Sequence, residues 1–227
     1  MPNVKNTILD TLLSVVAPHL CSGCGQIGGA FCYNCKYNIV SEAFSGCVLC
    51  QNLATNGVCD EHKAAFNQAW VVGVRSGPLQ QLIGGFKFRN MKAASVDLAD
   101  LLHLRLPSLP SSTVFIPVPT TPAHIRERGY DHVLLIAQEL GRKRGLPVRK
   151  LLLRGNVLTQ HHANRKDRLL QARSAFRVAG YIDPTATYVL LDDVITTGAT
   201  IQQAALLLKN AGATTIWVAA TSRQPLD

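Results

Sequence analysis

Near the carboxyl end of the chain, Asp192-Asp193-Val194-Ile195-Thr196-Thr197-Gly198-Ala199-Thr200 joins a buried, β-rich run at Tyr188 to Leu191 to a helical pattern at Ile201 to Asn210. A loop in that position, at the carboxyl end of a strand and the amino end of a helix, exposes backbone N–H groups. Threonine hydroxyls at 196, 197 and 200, and a glycine that permits close approach, complete a cradle for a monophosphate. Asp192 and Asp193 would repel a phosphate that they faced. They suit instead the hydroxyls of an attached sugar, or a share in holding a magnesium ion. A ribose 5-phosphate satisfies both halves of the loop. Each residue taken singly has a plainer explanation, as a helix cap or a partner of the helix dipole. The rival nucleotide loops are missing from the sequence: no G-x-x-x-x-G-K-[ST] occurs, and no G-x-G-x-x-G follows a strand.

A second pattern lies at the other end. All seven cysteines fall between Cys21 and Cys59, as Cys21-x2-Cys24, Cys32-x2-Cys35, Cys47-x2-Cys50 and Cys59-x2-His62. Two residues between ligands let both side chains reach one ion from a tight turn, and two such turns complete the tetrahedron zinc prefers. The simplest pairing gives one site of Cys21, Cys24, Cys32 and Cys35 and another of Cys47, Cys50, Cys59 and His62, with an interleaved arrangement as the alternative. Sites closed by four protein ligands leave no position for substrate, so their expected role is to stabilise the fold. Thioredoxin-like redox chemistry lacks the strand and helix that would surround it.

The elements that must carry these groups can be read from periodicity. Strands are expected at Ala69 to Val74, Val114 to Val118, Lys150 to Leu153, Phe176 to Val178, Tyr188 to Leu191 and Thr215 to Ala220. Helices are expected at Pro78 to Phe88, Ala93 to Leu104, His132 to Arg144 and Ile201 to Asn210. The alternation predicts an α/β fold, a parallel sheet with helices on both faces, preceded by the cysteine module. The composition shift places the boundary between residues 1–65 and 66–227. Ile8, Leu9, Leu12, Leu13, Val15 and Val16 share one face of a short amino-terminal helix that Pro18 ends.

Apolar residues make up 47% of the 227-residue chain and charged residues 16%, which excludes a disordered polyelectrolyte. No apolar run approaches the roughly 20 residues of a membrane helix, and no signal-peptide pattern precedes Cys21, so the expected compartment is the cytoplasm. The net charge of +9 points to polyanionic partners. Residues 126 to 177 hold thirteen basic against four acidic side chains, equal to the whole excess. That stretch supports a second reading, electrostatic binding of single-stranded DNA, although Tyr130, Phe176 and Tyr181 are its few stacking platforms.

Cysteine knuckles at one end and an apolar strand, two acids and T-T-G-x-T at the other resemble the ComF/GntX family of competence-associated proteins. The full string at the second end, an apolar strand, two acids, a short spacer and then T-T-G-x-T, is similar to the phosphoribosyl-pyrophosphate signature of type I phosphoribosyltransferases. The resemblance covers nearly the whole chain and includes Gly77-Pro78-Leu79 through Lys87-Phe88-Arg89, Ile116-Pro117-Val118-Pro119 and Arg126-Glu127-Arg128-Gly129-Tyr130-Asp131. The segment from Thr159-Gln160 through Arg165 and Arg168 to Ala175-Phe176 resembles the family's mobile loop. Asp131 and Gln171 stand where the family usually has asparagine.

The resemblance implies a double zinc ribbon, a type I phosphoribosyltransferase-like sheet, and phosphoribosyl pyrophosphate with magnesium as ligand. Asp192 and Asp193 would hold the ribose, with Thr196, Thr197, Gly198, Ala199 and Thr200 around its phosphate. Pro119, Thr120 and Thr121 would meet the pyrophosphate, joined by Arg126 and Arg128, whose guanidinium groups bind phosphate oxygens bidentately. Lys87 and Arg89 match the family's basic pair. A role in uptake of transforming DNA, with a helicase partner, is implied in the same way. No acceptor base is indicated, because the zinc module occupies the place of the hood that recognises one.

Overall fold

The computed structural model of the chain describes residues 19–28, 30–154 and 176–226. The amino-terminal helix expected before Pro18, and the loop segment from 159 to 175, lie outside the described residues. The cysteine-rich region begins with a two-stranded hairpin, β1 (His19–Leu20) and β2 (Ile27–Gly28), followed by α1 (Tyr33–Ser41) and an isolated bridge between Gly46 and Leu53.

From Gln68 the chain alternates. β3 (Gln68–Val74) leads through α2 (Gly77–Phe88) and α3 (Ala94–Arg105) to β4 (Thr113–Pro117), and then to α4 (Pro122–Arg128) and α5 (His132–Arg144). A small antiparallel hairpin, β5 (Leu152–Arg154) with β6 (Phe176–Val178), precedes β7 (Thr187–Ile195), α6 (Ala199–Asn210) and β8 (Thr215–Arg223). The main sheet has the order β3-β8-β7-β4, and every pairing in it is parallel. Residues 147–149 extend it beyond β4, because Phe115 donates to the Pro147 carbonyl at 2.9 Å and accepts from Arg149 at 2.9 Å.

The order follows from the sequence of the strands. Tyr188 to Leu191 is apolar at every position and therefore suits burial on both faces, so β7 lies between β4 and β8. One face of the sheet is covered by Leu82 and Phe86 of α2, Leu98, Leu101 and Leu102 of α3, and Ile136 and Leu140 of α5. The other is covered by Ile201, Ala204, Ala205 and Leu208 of α6. The helix ends carry the residues that set them: Thr121 caps α4 and Asp131 caps α5 through their side chains, while Gly129 and Gly145 end these helices at φ 77° and φ 66°.

Two differences from expectation bear on the site. β7 runs four residues beyond Leu191, because Asp192, Val194 and Ile195 keep their ladder positions opposite Ala220, Ser222 and Arg223 of β8. Both acids therefore sit in a strand, and the loop shrinks to Thr196–Gly198, with α6 starting at Ala199. The cysteine module also enters both cores: Ala30 and Phe31 join the α2–α3–α5 side, and Val48 joins the α6 side.

Leu208 is fully buried while Leu206, two residues earlier on α6, is 50% exposed. Leu208→Ala is expected to cost about 3 kcal/mol and Leu206→Ala under about 0.5 kcal/mol in urea denaturation; equal losses would show that α6 packs by another face.

Candidate functional site

The cysteines gather as two groups, Cys21, Cys24, Cys32 and Cys35, and Cys47, Cys50, Cys59 and His62, with the ligand atoms of each within 4.8 Å of one another. Tetrahedral zinc with bonds of about 2.3 Å to sulfur sets its sulfurs about 3.8 Å apart. The Sγ atoms of Cys24 and Cys32 are 3.7 Å apart, those of Cys50 and Cys59 3.6 Å, and Cys59 Sγ lies 3.1 Å from His62 Nδ1. Both clusters fit a zinc ion, and the pairing is the sequential one rather than the interleaved one. Burial works against ionising Cys21, yet the N–H groups of Cys32, Cys24 and Gly23 bring its thiol down to about 6, which readies this sulfur as an anionic ligand.

The phosphate-loop candidates lie at the carboxyl end of the parallel sheet. Because β4 and β7 are adjacent and parallel, the segments leaving them, Val118 to Thr121 and Thr196 to Gly198, emerge side by side. Thr196, Thr197, Ala199 and Thr200 are exposed, and Gly198 takes φ 79° as the residue that turns the chain into α6. Thr197 Oγ1 accepts from the Ala199 N–H at 3.3 Å.

The structure divides the acidic pair. Asp193 is buried, its Oδ2 lying 2.6 Å from Lys87 Nζ and 2.8 Å from His132 Nε2. Burial opposes its ionisation, but the His132 and Lys87 contacts prevail and hold it well below the usual carboxylate range. Asp192 is half-buried and, among the described residues, makes no ion pair; its Oδ1 accepts from the Asp193 N–H at 2.8 Å. Burial and the neighbouring Asp193 charge push it well above its ordinary value. Of the two carboxylates, Asp192 is the one left for a ligand.

The network continues into the neighbouring loop. Arg128 Nη1 lies 2.9 Å from His132 Nδ1. A guanidinium has no lone pair to offer, so Nδ1 must accept, which leaves the ring proton on Nε2 facing Asp193. Thr120 donates to Asp131 Oδ1 at 2.9 Å, and the same oxygen caps α5 by accepting from Leu134. Asparagine or aspartate serves this cap, which accounts for Asp131 in an asparagine position. Thr121 is occupied in capping α4, Pro119 presents its carbonyl to Arg154 Nε at 3.1 Å, and Arg126 is exposed.

Of the basic pair, Lys87 is thus turned inward onto Asp193, whereas Arg89 is exposed. His132 and Arg154 were not singled out by sequence reading. Nothing in their spacing marks them for these roles, since Asp193, which His132 reaches, and Pro119, which Arg154 reaches, lie far along the chain. In the run Arg142-Lys143-Arg144, Lys143 and Arg144 serve internal partners while Arg142 stays 70% exposed. Arg142 pairs with Glu139 at 2.8 Å, Lys143 pairs with Asp100 at 2.7 Å, and Arg144 donates to the carbonyls of His103, Leu106 and Pro107 at the end of α3.

Lys87→Met strips Asp193 of its cation and is expected to cost about 3 kcal/mol at neutral pH. In the intact chain the stability Asp193 contributes is complete above about pH 4 and withdrawn as pH falls below it. Asp192→Asn should have the opposite sign, raising stability at neutral pH, with the gain fading as acid protonates the native Asp192. Urea titrations between about pH 2 and pH 8 check both; a loss of stability for Asp192→Asn at neutral pH would contradict the division of the pair.

No protein-family model matches the chain. Competence protein F of Haemophilus influenzae is 29% identical over 218 residues, covering 91% of this chain and 91% of its own. Competence protein ComFC of Streptococcus pneumoniae is 28% identical over 200 residues, 86% of this chain and 83% of its own. Among solved structures, an allosteric regulatory enzyme of purine biosynthesis aligns at 19% identity with a TM-score of 0.41, and the glutamine phosphoribosylpyrophosphate amidotransferase of B. subtilis at 20% and 0.42. Each covers 57% of this chain, which in turn spans only 25% and 26% of those longer proteins. With two cysteine clusters set ahead of a parallel α/β sheet, the chain is similar along most of its length to these two competence proteins, F and ComFC.

Proposed function

We propose that the chain binds phosphoribosyl pyrophosphate, or a ribose 5-phosphate ligand, with magnesium at the carboxyl end of β4 and β7. The observation that carries this reading is Asp192, a carboxylate kept where burial and a neighbouring charge oppose it, unpaired among the described residues and beside an exposed threonine loop. Groups retained against stability mark functional positions. In this reading Thr196, Thr197, Gly198, Ala199 and Thr200 surround the 5-phosphate, and Asp192 accepts from the ribose hydroxyls. Asp193 keeps Lys87 and His132 in place, and His132 in turn orients Arg128. Pro119, Thr120 and Thr121 supply backbone to the pyrophosphate, with Arg126 and Arg128 as its cations.

Magnesium, when bound, would neutralise pyrophosphate oxygens, and its preference for oxygen ligands fits Asp192. If turnover occurs, a nitrogen nucleophile displaces pyrophosphate from the anomeric carbon, and this chain contributes positioning and charge. The names of the relatives support a role in competence, and this reading extends it to uptake of DNA with a helicase as partner. Among the described residues no helix is long and apolar enough to cross a membrane.

Calorimetric titration with phosphoribosyl pyrophosphate and magnesium should show binding that Asp192→Asn weakens about 10- to 100-fold, the range for a hydrogen bond to a charged group. No heat with the intact chain would discard the reading. Single-stranded DNA binding is the second reading, favoured by the exposure of Arg126, Arg149, Lys150 and Arg177. With Lys143 and Arg144 committed to internal partners and Arg142 70% exposed beside Glu139, about five phosphate contacts at most come from the described part of this stretch, a log–log salt slope of about −3.5 for a single strand. Fluorescence anisotropy with a labelled oligonucleotide across a salt series measures it; no salt-dependent binding would remove this second reading.

A further inference from the structure

The turn between two ligands of the second cluster, Cys47-Val48-Leu49-Cys50, is built into the phosphate loop. Arg223, at the end of β8, is 1% exposed. Its Nε donates to the Val48 carbonyl at 2.7 Å and Nη2 to the Leu49 carbonyl at 3.2 Å. Its Nη1 donates to the Ile195 carbonyl at 3.3 Å and to the Gln224 carbonyl at 2.6 Å. Ile195 is the last residue of β7, immediately before Thr196, and its carbonyl also accepts from the Gln224 N–H at 2.9 Å. Gln51 Nε2 closes the arrangement on the Gln224 carbonyl at 2.9 Å. On the loop itself the Leu49 side chain presses on Gly198, so that a Cβ there would collide with it. Val48 packs in the same core as Ile195, Ile201 and Ala205.

The first cluster is held elsewhere. Lys36, next to its ligand Cys35, pairs with Asp97 at 2.6 Å and Asp100 at 2.7 Å on α3, and Phe31 packs on the opposite face of the sheet. Only the second cluster shares a wall with residues 195–198 among the contacts described.

We infer that Arg223 and the Cys47–Cys50 turn act as a clamp coupling metal occupancy of the second cluster to the conformation of the phosphate loop, while the first cluster does not. A planar guanidinium engages four carbonyls only while all four are in place. If loss of metal loosens the 47–50 turn, Arg223 forfeits the Val48 and Leu49 acceptors, and a buried cation short of acceptors drives rearrangement of the strand end it holds. Gly198 loses the Leu49 contact at the same step. Linkage makes the coupling reciprocal, so a ligand on the loop must tighten metal at the second cluster. This last half rests on the phosphoribosyl reading above.

Hydrogen exchange of peptides spanning residues 195–201, with zinc content measured on the same samples, tests the clamp in the full chain. Cys24→Ser should lose one zinc and leave loop exchange within about twofold, whereas Cys59→Ser should lose the other and speed it by about tenfold. Leu49→Ala keeps all four ligands and should speed loop exchange about fivefold at full zinc content, with Leu49→Met restoring it. If Cys59→Ser fails to fold, the Leu49 pair still decides. Unchanged loop exchange in Leu49→Ala, or equal acceleration by Cys24→Ser, overturns the clamp. Ribose 5-phosphate should slow chelator extraction of one of the two ions; loss of both at unchanged rates with ligand bound overturns the reciprocal half. Failure of ribose 5-phosphate to bind the intact chain at all overturns the ligand reading and the reciprocal half with it, and leaves the exchange result standing for the clamp itself.

Discussion

A carboxylate buried at the end of a central strand must be neutralised, and that requirement organises this protein around Asp193. Its side chain is held by Lys87 from the end of α2 and by His132 from the start of α5. His132 then constrains Arg128 at the end of α4, because the Nδ1 facing the guanidinium has to accept. One charge in β7 thus fixes three helix ends and the loop that follows β4. Asp192, the neighbouring residue, is spared these partners, and two adjacent residues of one type acquire different physical roles.

The cysteine module is a second organising element, and it is not a cap resting on a finished domain. Its first half meets the sheet through Phe31 and through Lys36 paired with α3, and its second half through Val48, Leu49 and Arg223. The chain is closed on itself here, since the carboxyl-terminal strand supplies the arginine and the first third supplies the carbonyls. A buried guanidinium with several neutral acceptors gives rigidity rather than large net stability, because each hydrogen bond offsets desolvation. Rigidity is what the anion cradle proposed for residues 196–200 would require.

The charge of the chain illustrates how composition and surface differ. Thirteen basic residues between 126 and 177 read as one positive stripe in the sequence. In the fold, Arg144 satisfies the carbonyl end of α3, Lys143 joins Lys36 around Asp100, and Arg154 lies over Phe176 at 4.8 Å while holding Pro119. Long basic side chains are versatile structural donors, and their number alone does not measure a binding surface.

The sequence by itself determined what depends on near neighbours. Spacing of two residues within each knuckle marked all eight side chains of the two clusters that fit zinc, alternation of apolar runs marked the parallel α/β class, and Thr-Thr-Gly before a helical pattern marked the loop. The short helix Pro122–Arg128 was legible too, in Thr121-Pro122 at one end and Gly129 at the other, although it was not expected. Only the tertiary structure decided that β7 reaches Ile195, because that extension is set by the β8 ladder rather than by propensity. It alone separated Asp192 from Asp193, brought Lys87 and His132 to one oxygen, and set Arg223 against Val48 across 175 residues. Hydrogen bonds and ion pairs between distant residues leave no periodic trace in a chain, and burial, which sets the energy of a charge, is a property of the packed molecule.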